Sequence, residues 1–202
     1  HMAEHWGLAS VIRDAVTAAT LDEIPDVAAE LAGHETQKEL AKYEPQISKM
    51  RSAATRAQNA SELVDASKAV AELARACGDC HIAAGAKPTE PEEPLPPGES
   101  ETKAHMLRHD WAARELWIGL ALPSDEHWAR GAAALDEAPL EKGQFFEEWE
   151  VTESLLGLDK ALHEMRPKLA AAATRDERVE LYGQLIANCA ACHHATAKGP
   201  VD

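Results

Sequence analysis

Two copies of one pentapeptide pattern, Cys-x-x-Cys-His, constrain this chain more than any other feature of its sequence. One copy is CGDCH at residues 77–81, and the other is CAACH at residues 189–193. The chain of 202 residues contains four cysteines, and the two copies use all of them. Any fold of the chain must therefore place two thiols and an adjacent histidine together at two points.

The pentapeptide matches the attachment pattern of c-type haem. Its two thiols can add to the two vinyl groups of one haem, and the histidine is then held beneath the iron as an axial ligand. We therefore predict two covalently attached haem c groups, one for each copy. The residues predicted to hold them are Cys77, Cys80 and the iron ligand His81, and then Cys189, Cys192 and the iron ligand His193.

Three other uses of paired cysteines compete with this interpretation. A thioredoxin-like redox motif lies near a βαβ unit, but the sequence predicts no strands. A zinc site made of four thiolates is sound chemistry, but it gives no reason for a histidine after each pair. Two disulfides within the pairs would close very short loops and contribute little stability.

The composition predicts an all-α protein. Alanine is abundant, while phenylalanine and tyrosine occur only twice each, so helix formers outnumber strand formers. The net charge of −15 argues against binding to nucleic acid or to anionic membranes and favours either a basic protein partner or simply solubility. No apolar run approaches the roughly 20 residues that a membrane span requires.

A proline-rich stretch divides the chain into two modules. Residues 88–99 contain five prolines and four glutamates, a composition typical of an extended, solvated linker. We predict a haem-binding four-helix bundle at residues 1–87, a linker at 88–102 and a second haem-binding bundle at 103–202. The fold class predicted is thus all-α, with two tandem four-helix bundles that each carry one haem.

The two modules repeat the same motifs in the same order. HMAEHW at residues 1–6 resembles HMLRHDW at 105–111, and the stretches around Met50 and Met165 also correspond. Apolar periodicity and capping residues predict four helices in each module. The predicted helices span 2–20, 20–31, 36–57 and 62–83, followed by 103–121, 124–136, 144–173 and 175–195.

A four-helix bundle with Cys-x-x-Cys-His near the end of its last helix resembles the cytochrome c prime family and its low-spin relatives. The resemblance covers both halves and rests on the pentapeptide, its place in the last helix and the length of each module. It implies a periplasmic, non-enzymatic dihaem c-type cytochrome with His81 and His193 as proximal ligands. It also implies that a first-helix residue is the sixth ligand in low-spin members, whereas high-spin members leave that position open.

The start of the first helix supplies candidates for that sixth ligand. In an up-and-down bundle this end lies beside the end of the last helix, and there each half carries Met-x-x-His. We predict His5 and His109 as the ligands, because imidazole is a common iron ligand and both histidines lie deeper in the helix than the methionines. Met2 and Met106 are the alternative, and an open coordination position is the third.

Several other residues receive structural interpretations. Met50 and Met165 are predicted to pack in the core, at the end of the bundle far from the haem. Trp6 and Trp111 follow the candidate ligands and are interpreted as walls of the haem cavities or as ordinary core. His34, His127 and His163 have no matched partner in the repeat and are assigned to the surface, and His194 is interpreted as exposed or adjacent to a haem propionate.

Electron transfer is the function that these features favour. Two six-coordinate haems in tandem modules would carry electrons between periplasmic redox partners, and the acidic surface favours a partner with a basic docking surface. The alternative is a five-coordinate, cytochrome c prime-like protein that binds or senses nitric oxide or carbon monoxide. Haem-based catalysis is the least favoured, since no acid–base constellation is evident.

The pentapeptides also bear on location. Attachment of c-type haem takes place outside the cytoplasm, so we expect an exported protein whose signal peptide has been removed from this chain. The leading His1-Met2 resembles a cloning remnant, but His105-Met106 repeats it, so these two residues are also consistent with a native sequence.

Overall fold

The computed structural model describes residues 2–97, 102–145 and 151–196, which form helices joined by turns and extended segments. No β-strand occurs within these ranges, and the prediction of an all-α fold is confirmed. Among the helices of this described part, none combines the length and apolarity that crossing a membrane requires.

The first half forms four α-helices: α1 (Met2–Thr17), α2 (Ile24–Gly33), α3 (Glu44–Gln58) and α4 (Leu63–Ala84). The helix predicted from residue 36 begins later, because Pro45 lies in the first turn of α3, where a missing N–H interrupts no hydrogen bond. A short 3₁₀ helix, Lys38–Tyr43, precedes it. Proline therefore starts this helix and does not bend it.

The second half forms five α-helices: α5 (Thr102–Ala121), α6 (Asp125–Ala134), α7 (Glu153–Glu164), α8 (Arg166–Ala171) and α9 (Arg175–Thr196). The single helix predicted at 144–173 is divided at Met165 into α7 and α8. Pro167 has no N–H for the carbonyl of His163, so the helix cannot continue through it. Part of that predicted helix, 146–150, lies outside the described residues.

Helices α4 and α9, which end in the two pentapeptides, pack against each other at the centre of the molecule. Helix α1 also packs against α9, and α5 against α4. One hydrophobic cluster accordingly contains residues from both halves. Its largest fully buried side chains include Trp117 of α5 and Tyr182 of α9, whose ring centroids lie 6.1 Å apart. The two predicted modules on either side of the linker thus share one hydrophobic core.

The described part of the proline-rich segment runs along α5 and α6. Most of residues 88–97 are exposed, as predicted for a linker. The carbonyl oxygen of Glu93 accepts hydrogen bonds from Trp111 Nε1 at 3.3 Å and from Arg130 Nη2 at 3.0 Å. Arg108 donates to the carbonyl of Pro96 at 2.7 Å. Because extended backbone leaves its carbonyls free, helix side chains can hold this segment in place.

Candidate functional site

The first pentapeptide lines a cavity of about 280 Å³ beside the last turns of α4. Cys77, Cys80 and His81 contribute from α4, and Met2 and His5 contribute from the first turns of α1. The structure therefore brings together every residue predicted for the first site. Neighbouring apolar side chains, among them Ile47 and Leu122, complete a lining that is mostly apolar.

The second pentapeptide lines a separate cavity of about 520 Å³. Cys189, Cys192 and His193 contribute from α9, and Met106 and His109 contribute from α5. This arrangement repeats the one in the first half, with the start of a first helix facing the end of a last helix. Because the two cysteine pairs line different cavities, the four cysteines do not form one zinc-thiolate site.

Each motif histidine is hydrogen-bonded to a helix end in the other half. His81 Nδ1 lies 2.8 Å from the carbonyl oxygen of Ala121, the last residue of α5. His193 Nδ1 lies 2.7 Å from the carbonyl oxygen of Thr17, the last residue of α1. The last carbonyls of an α-helix have no partner within the helix, so both are available as acceptors. Each half thus supplies the helix-end carbonyl oxygen that pairs with the motif histidine of the other half.

These hydrogen bonds fix the tautomer of both rings. A carbonyl oxygen only accepts, so Nδ1 must carry the proton, and Nε2 of the neutral ring then carries the lone pair. Burial also holds the pKa of His193 below its usual value, which keeps that ring neutral despite the opposing effects of the Thr17 hydrogen bond and of Asp110. Each motif thus presents an oriented imidazole whose Nε2 can act as a metal ligand.

The four thiols are free and weakly acidic. Burial raises the pKa of Cys77 and of Cys189 to about 12, and that of Cys192 to about 11, while the pKa of Cys80 is raised by the same cause. A catalytic dithiol needs a lowered thiol pKa so that the thiolate forms near neutral pH. These surroundings therefore do not suit a thioredoxin-like redox site.

Two tryptophans that sequence treats as equivalent occupy different places. Trp6 lines both cavities and lies between them, whereas Trp111 lines neither of the two and instead binds the proline-rich segment. The reason is their spacing, since Trp6 follows His5 directly but Trp111 lies two positions after His109. One extra residue turns a side chain by about 100° around a helix.

Met50 departs from its predicted location, although it is buried as expected. It lines the first cavity together with Cys77 and Cys80, so the placement far from the predicted haem was wrong. Helix α3 begins later than predicted, at Glu44, and runs beside the end of α4.

Two of the histidines assigned to the surface are also placed differently. His34 lines the first cavity, and its ring centroid lies 4.9 Å from that of His5. His163 is buried in the second half. Of the others, His127 is half-buried with its Nδ1 2.9 Å from a Glu115 carboxylate oxygen, and His194 is exposed as predicted.

A buried polar cluster beside the second cavity is the main feature that sequence reasoning missed. It consists of His105 and His109 from α5 and of Asp159 and His163 from α7. The spacing of both pairs is i, i+4, which places each pair on one face of its helix. That shared spacing is the sequence signal for the cluster, whereas the internal repeat gives none, because His163 has no counterpart in the first half.

The residues lining each cavity fit a covalently bound haem. Each cavity offers two thiols three positions apart and one imidazole whose Nδ1 is already engaged. The walls of the first cavity are mostly apolar, whereas charged side chains such as Arg13, Asp110 and Arg114 also line the second. Such a donor set leaves Nε2 for iron and the thiols for thioether bonds. Comparison of the chain with protein-family models, with curated proteins and with solved structures finds no match in any of the three.

Proposed function

We propose that this chain is a dihaem c-type cytochrome that carries electrons between exported redox partners and is not an enzyme. In this proposal each half is a four-helix bundle that holds one haem c, with α7 and the short α8 together in the place of the third helix of the second half. Cys77 and Cys80 bind the first haem and Cys189 and Cys192 the second. The acidic surface, with a net charge of −15, would attract a partner with a basic docking surface.

The observation that carries the proposal is the reciprocal pair of hydrogen bonds made by His81 and His193. A histidine that ligates a metal almost always donates its other ring N–H to a carbonyl, a carboxylate or water, which fixes the ring and raises its basicity. The two motif histidines both do so, at 2.8 and 2.7 Å. A pair of isolated structural histidines has no reason to share this arrangement.

The chain contributes geometry and exclusion of water. The negative end of a helix dipole lies at Ala121 and at Thr17, where it favours positive charge on the neighbouring imidazole. Because each half orients the motif histidine of the other half, both proposed haem sites require both halves of the chain. When bound, haem supplies reversible one-electron chemistry, and its axial ligands and surroundings tune the potential.

For the sixth ligand we propose His5 in the first half and Met106 in the second. His5 lines the first cavity, and burial, reinforced by the nearby His34, holds its pKa below the usual value and keeps the ring neutral. The second half differs because Nε2 of His109 lies 3.2 Å from Nε2 of His163. Met106 lines the cavity and packs against the apolar cluster that contains Cys192.

Expression together with a c-type haem attachment system tests this function. We expect the intact chain to carry two covalent haems by mass spectrometry, with low-spin iron by optical and paramagnetic-resonance spectra. Substituting alanine for His5 should convert one haem to high spin, and Met106→Leu should convert the other. The matched control His194→Gln, on an exposed side chain, should change neither haem.

Other outcomes would revise the proposal in defined ways. A chain that acquires no covalent haem under these conditions contradicts it. High-spin wild-type protein that binds carbon monoxide or nitric oxide after reduction would establish the five-coordinate gas-binding alternative. If His109→Ala, and not Met106→Leu, changes the spin state of the second haem, then the ligand is the histidine that the sequence predicts.

A further inference from the structure

The buried cluster of His105, His109, Asp159 and His163 concentrates four ligand atoms in a small volume. The three Nε2 atoms and one carboxylate oxygen of Asp159 all lie within 4.8 Å of one another. All four residues are buried, with relative exposures between 2% and 9%. Polar groups so far from water must be paired with each other or with a bound ligand.

The tautomer of one of these rings follows from its outer partner. His163 Nδ1 lies 3.2 Å from the carbonyl oxygen of Leu135, which only accepts, so its proton is on Nδ1. In the neutral ring, Nε2 of His163 therefore carries a lone pair. His105 Nδ1 lies 3.3 Å from a carboxylate oxygen of Glu137 without forming a hydrogen bond to it.

The Nε2 lone pair of His163 lies close to two other atoms of the cluster. His105 Nε2 lies 3.2 Å from His163 Nε2 and 3.1 Å from Asp159 Oδ1. The other oxygen of Asp159 accepts the N–H of Leu140 at 2.7 Å, which fixes the carboxylate. Ring nitrogens and a carboxylate oxygen at such distances repel one another unless a proton or a metal cation lies between them.

The distances between these atoms match the edges of a metal tetrahedron. Zinc binds imidazole nitrogen at about 2.0–2.1 Å, so two ligands of a tetrahedral ion lie about 3.3 Å apart. Four of the six separations are 3.1 and 3.2 Å for His105, 3.2 Å between His109 Nε2 and His163 Nε2, and 3.9 Å between His163 Nε2 and Asp159 Oδ1. Three of these separations are close to the tetrahedral edge, and all four ligand atoms lie within 4.8 Å of one another.

We propose that His105, His109, Asp159 and His163 bind a divalent first-row transition-metal ion, separate from the two haems. Three imidazoles and one carboxylate are ligands that zinc and its neighbours prefer. Two facing helices each supply an i, i+4 pair, which is a common way to build a metal site within a helical bundle. The carboxylates of Asp159 and Glu137 together balance the charge of a divalent ion.

This site would lie next to the second cavity, because Asp159 and His109 line that cavity as well. Its positive charge would favour the reduced, less positive state of a haem bound there. The corresponding group beside the first cavity, Glu4, Glu30 and His34, contains one histidine and two exposed carboxylates and is not buried. The inference concerns side chains other than the cysteines and motif histidines, so it stands or falls separately from haem attachment.

Metal analysis of the haem-containing chain tests the site. The purified protein is incubated with zinc sulfate, freed of loosely bound metal, and analysed for zinc and iron by mass spectrometry. We expect one zinc for every two haem irons. X-ray absorption at the zinc edge, which haem iron does not disturb, should show three imidazole nitrogens and one oxygen at about 2.0–2.1 Å.

Two variants and a matched control assign the ligands. His163→Gln and Asp159→Asn should each weaken zinc binding at least about 100-fold, because even the loss of an outer-shell partner costs 10- to 100-fold. Asparagine keeps the carbonyl oxygen that can accept the Leu140 N–H, so this variant is expected to fold. His194→Gln replaces an exposed histidine in the same way and should bind zinc like the wild type.

The zinc content of the wild-type protein tests the proposal even if a variant fails to fold. Absence of stoichiometric zinc in the haem-loaded wild type, both as purified and after incubation, overturns the proposal. The cluster would then be held by the hydrogen bonds between its own side chains. Zinc that is bound equally by the wild type and by folded His163→Gln would also overturn it.

Discussion

The two cavities share the same framework but differ in the polar groups around it. In both, a last helix presents two thiols and a histidine, the first helix presents Met-x-x-His, and a helix end of the other half orients the motif histidine. In the first cavity His5 lies beside the half-buried His34. In the second, His109 is drawn into a buried cluster with residues of α7. The arrangement of thiols, motif histidine and Met-x-x-His is thus the same in both cavities, whereas the polar side chains next to it differ.

Particular residues explain why the first half has no equivalent cluster. Aligning Met50 with Met165 places Glu44 opposite Asp159 and Ser48 opposite His163. Glu44 accepts hydrogen bonds from Thr36 and Arg51, both at 3.0 Å, so its carboxylate is engaged on the surface. A serine hydroxyl at position 48 cannot replace the imidazole of His163 as a metal ligand. A repeated backbone therefore does not guarantee a repeated site.

The largest difference that we expect between the two pentapeptides concerns their second residues, Gly78 and Ala190. A Cβ added at Gly78 would collide with the carbonyl oxygen of Leu120 and with the guanidinium of Arg175. Backbone atoms cannot move aside, so Gly78→Ala should lower the free energy of unfolding by about 2 kcal/mol, even after its gain in helix propensity. Chemical denaturation of the haem-containing protein measures this change.

The opposite substitution in the second pentapeptide provides the control. Ala190 is fully buried, and α9 accommodates its methyl group. Ala190→Gly should lower the free energy of unfolding by about 1 kcal/mol, mainly through lost helix propensity. A neutral or stabilising effect of Gly78→Ala would show that α4 and α5 do not approach as closely as the structure places them.

The sequence predicted the framework of the sites better than their surroundings. The pentapeptides and the repeated Met-x-x-His identified the residues that meet in each cavity, because helical spacing and the order of helices are local properties. The exchange of hydrogen bonds between His81 and Ala121, and between His193 and Thr17, depends on how the halves pack. No local pattern encodes a contact between residues that lie 40 or 176 positions apart.

The sequence predictions that the structure contradicts were wrong for similar reasons. His163 was assigned to the surface because it has no partner in the repeat, but a repeat reports only what the two halves share. Trp111 was paired with Trp6 by resemblance, although one additional residue turns its side chain away from the cavity. Helix boundaries were displaced where Pro45 and Pro167 lie in first turns, since proline can begin a helix as well as bend one.

A second, intermediate effect is expected at Trp6, which lies between the cavities. If the chain carries the two proposed haems, Trp6→Leu should alter the absorption spectra of both, and it should lower the free energy of unfolding by roughly 1–2 kcal/mol, because a half-buried aromatic surface is lost. Trp111→Leu should leave both haem spectra unchanged. It should instead make the proline-rich segment more sensitive to proteases, since its hydrogen bond to Glu93 is removed.

These two variants separate the tryptophans that the sequence treats as equivalent. Optical spectra of the oxidised and reduced proteins, together with limited proteolysis, give the two measurements. If Trp6→Leu changes only the first haem, then Trp6 belongs to that cavity alone. A change in the spectrum of the second haem in Trp111→Leu would show that Trp111 lies against a haem, as Trp6 does.

The smallest difference that we expect lies at the first turns of α4 and α9. Thr174 accepts the N–H of Glu177 at 3.2 Å, and the Glu177 carboxylate accepts the N–H of Thr174 at 2.9 Å. Helix α4 begins without a side-chain cap. Thr174→Ala should therefore lower the free energy of unfolding by about 1 kcal/mol, whereas Ser61→Ala, in the corresponding segment before α4, should change it by less than about 0.5 kcal/mol.

The contribution of this cap should depend on pH in a defined direction. Hydrogen bonds from Thr174, and then from Ala173, hold the pKa of Glu177 below its usual value. A carboxyl whose pKa is lowered on folding stabilises the protein above its unfolded-state pKa, and this contribution is lost as the pH falls through the folded-state pKa. The difference in stability between the wild type and Glu177→Gln should therefore be largest near neutral pH and should vanish in acid. A difference that persists unchanged in acid would mean that the carboxylate charge plays no part in capping α9.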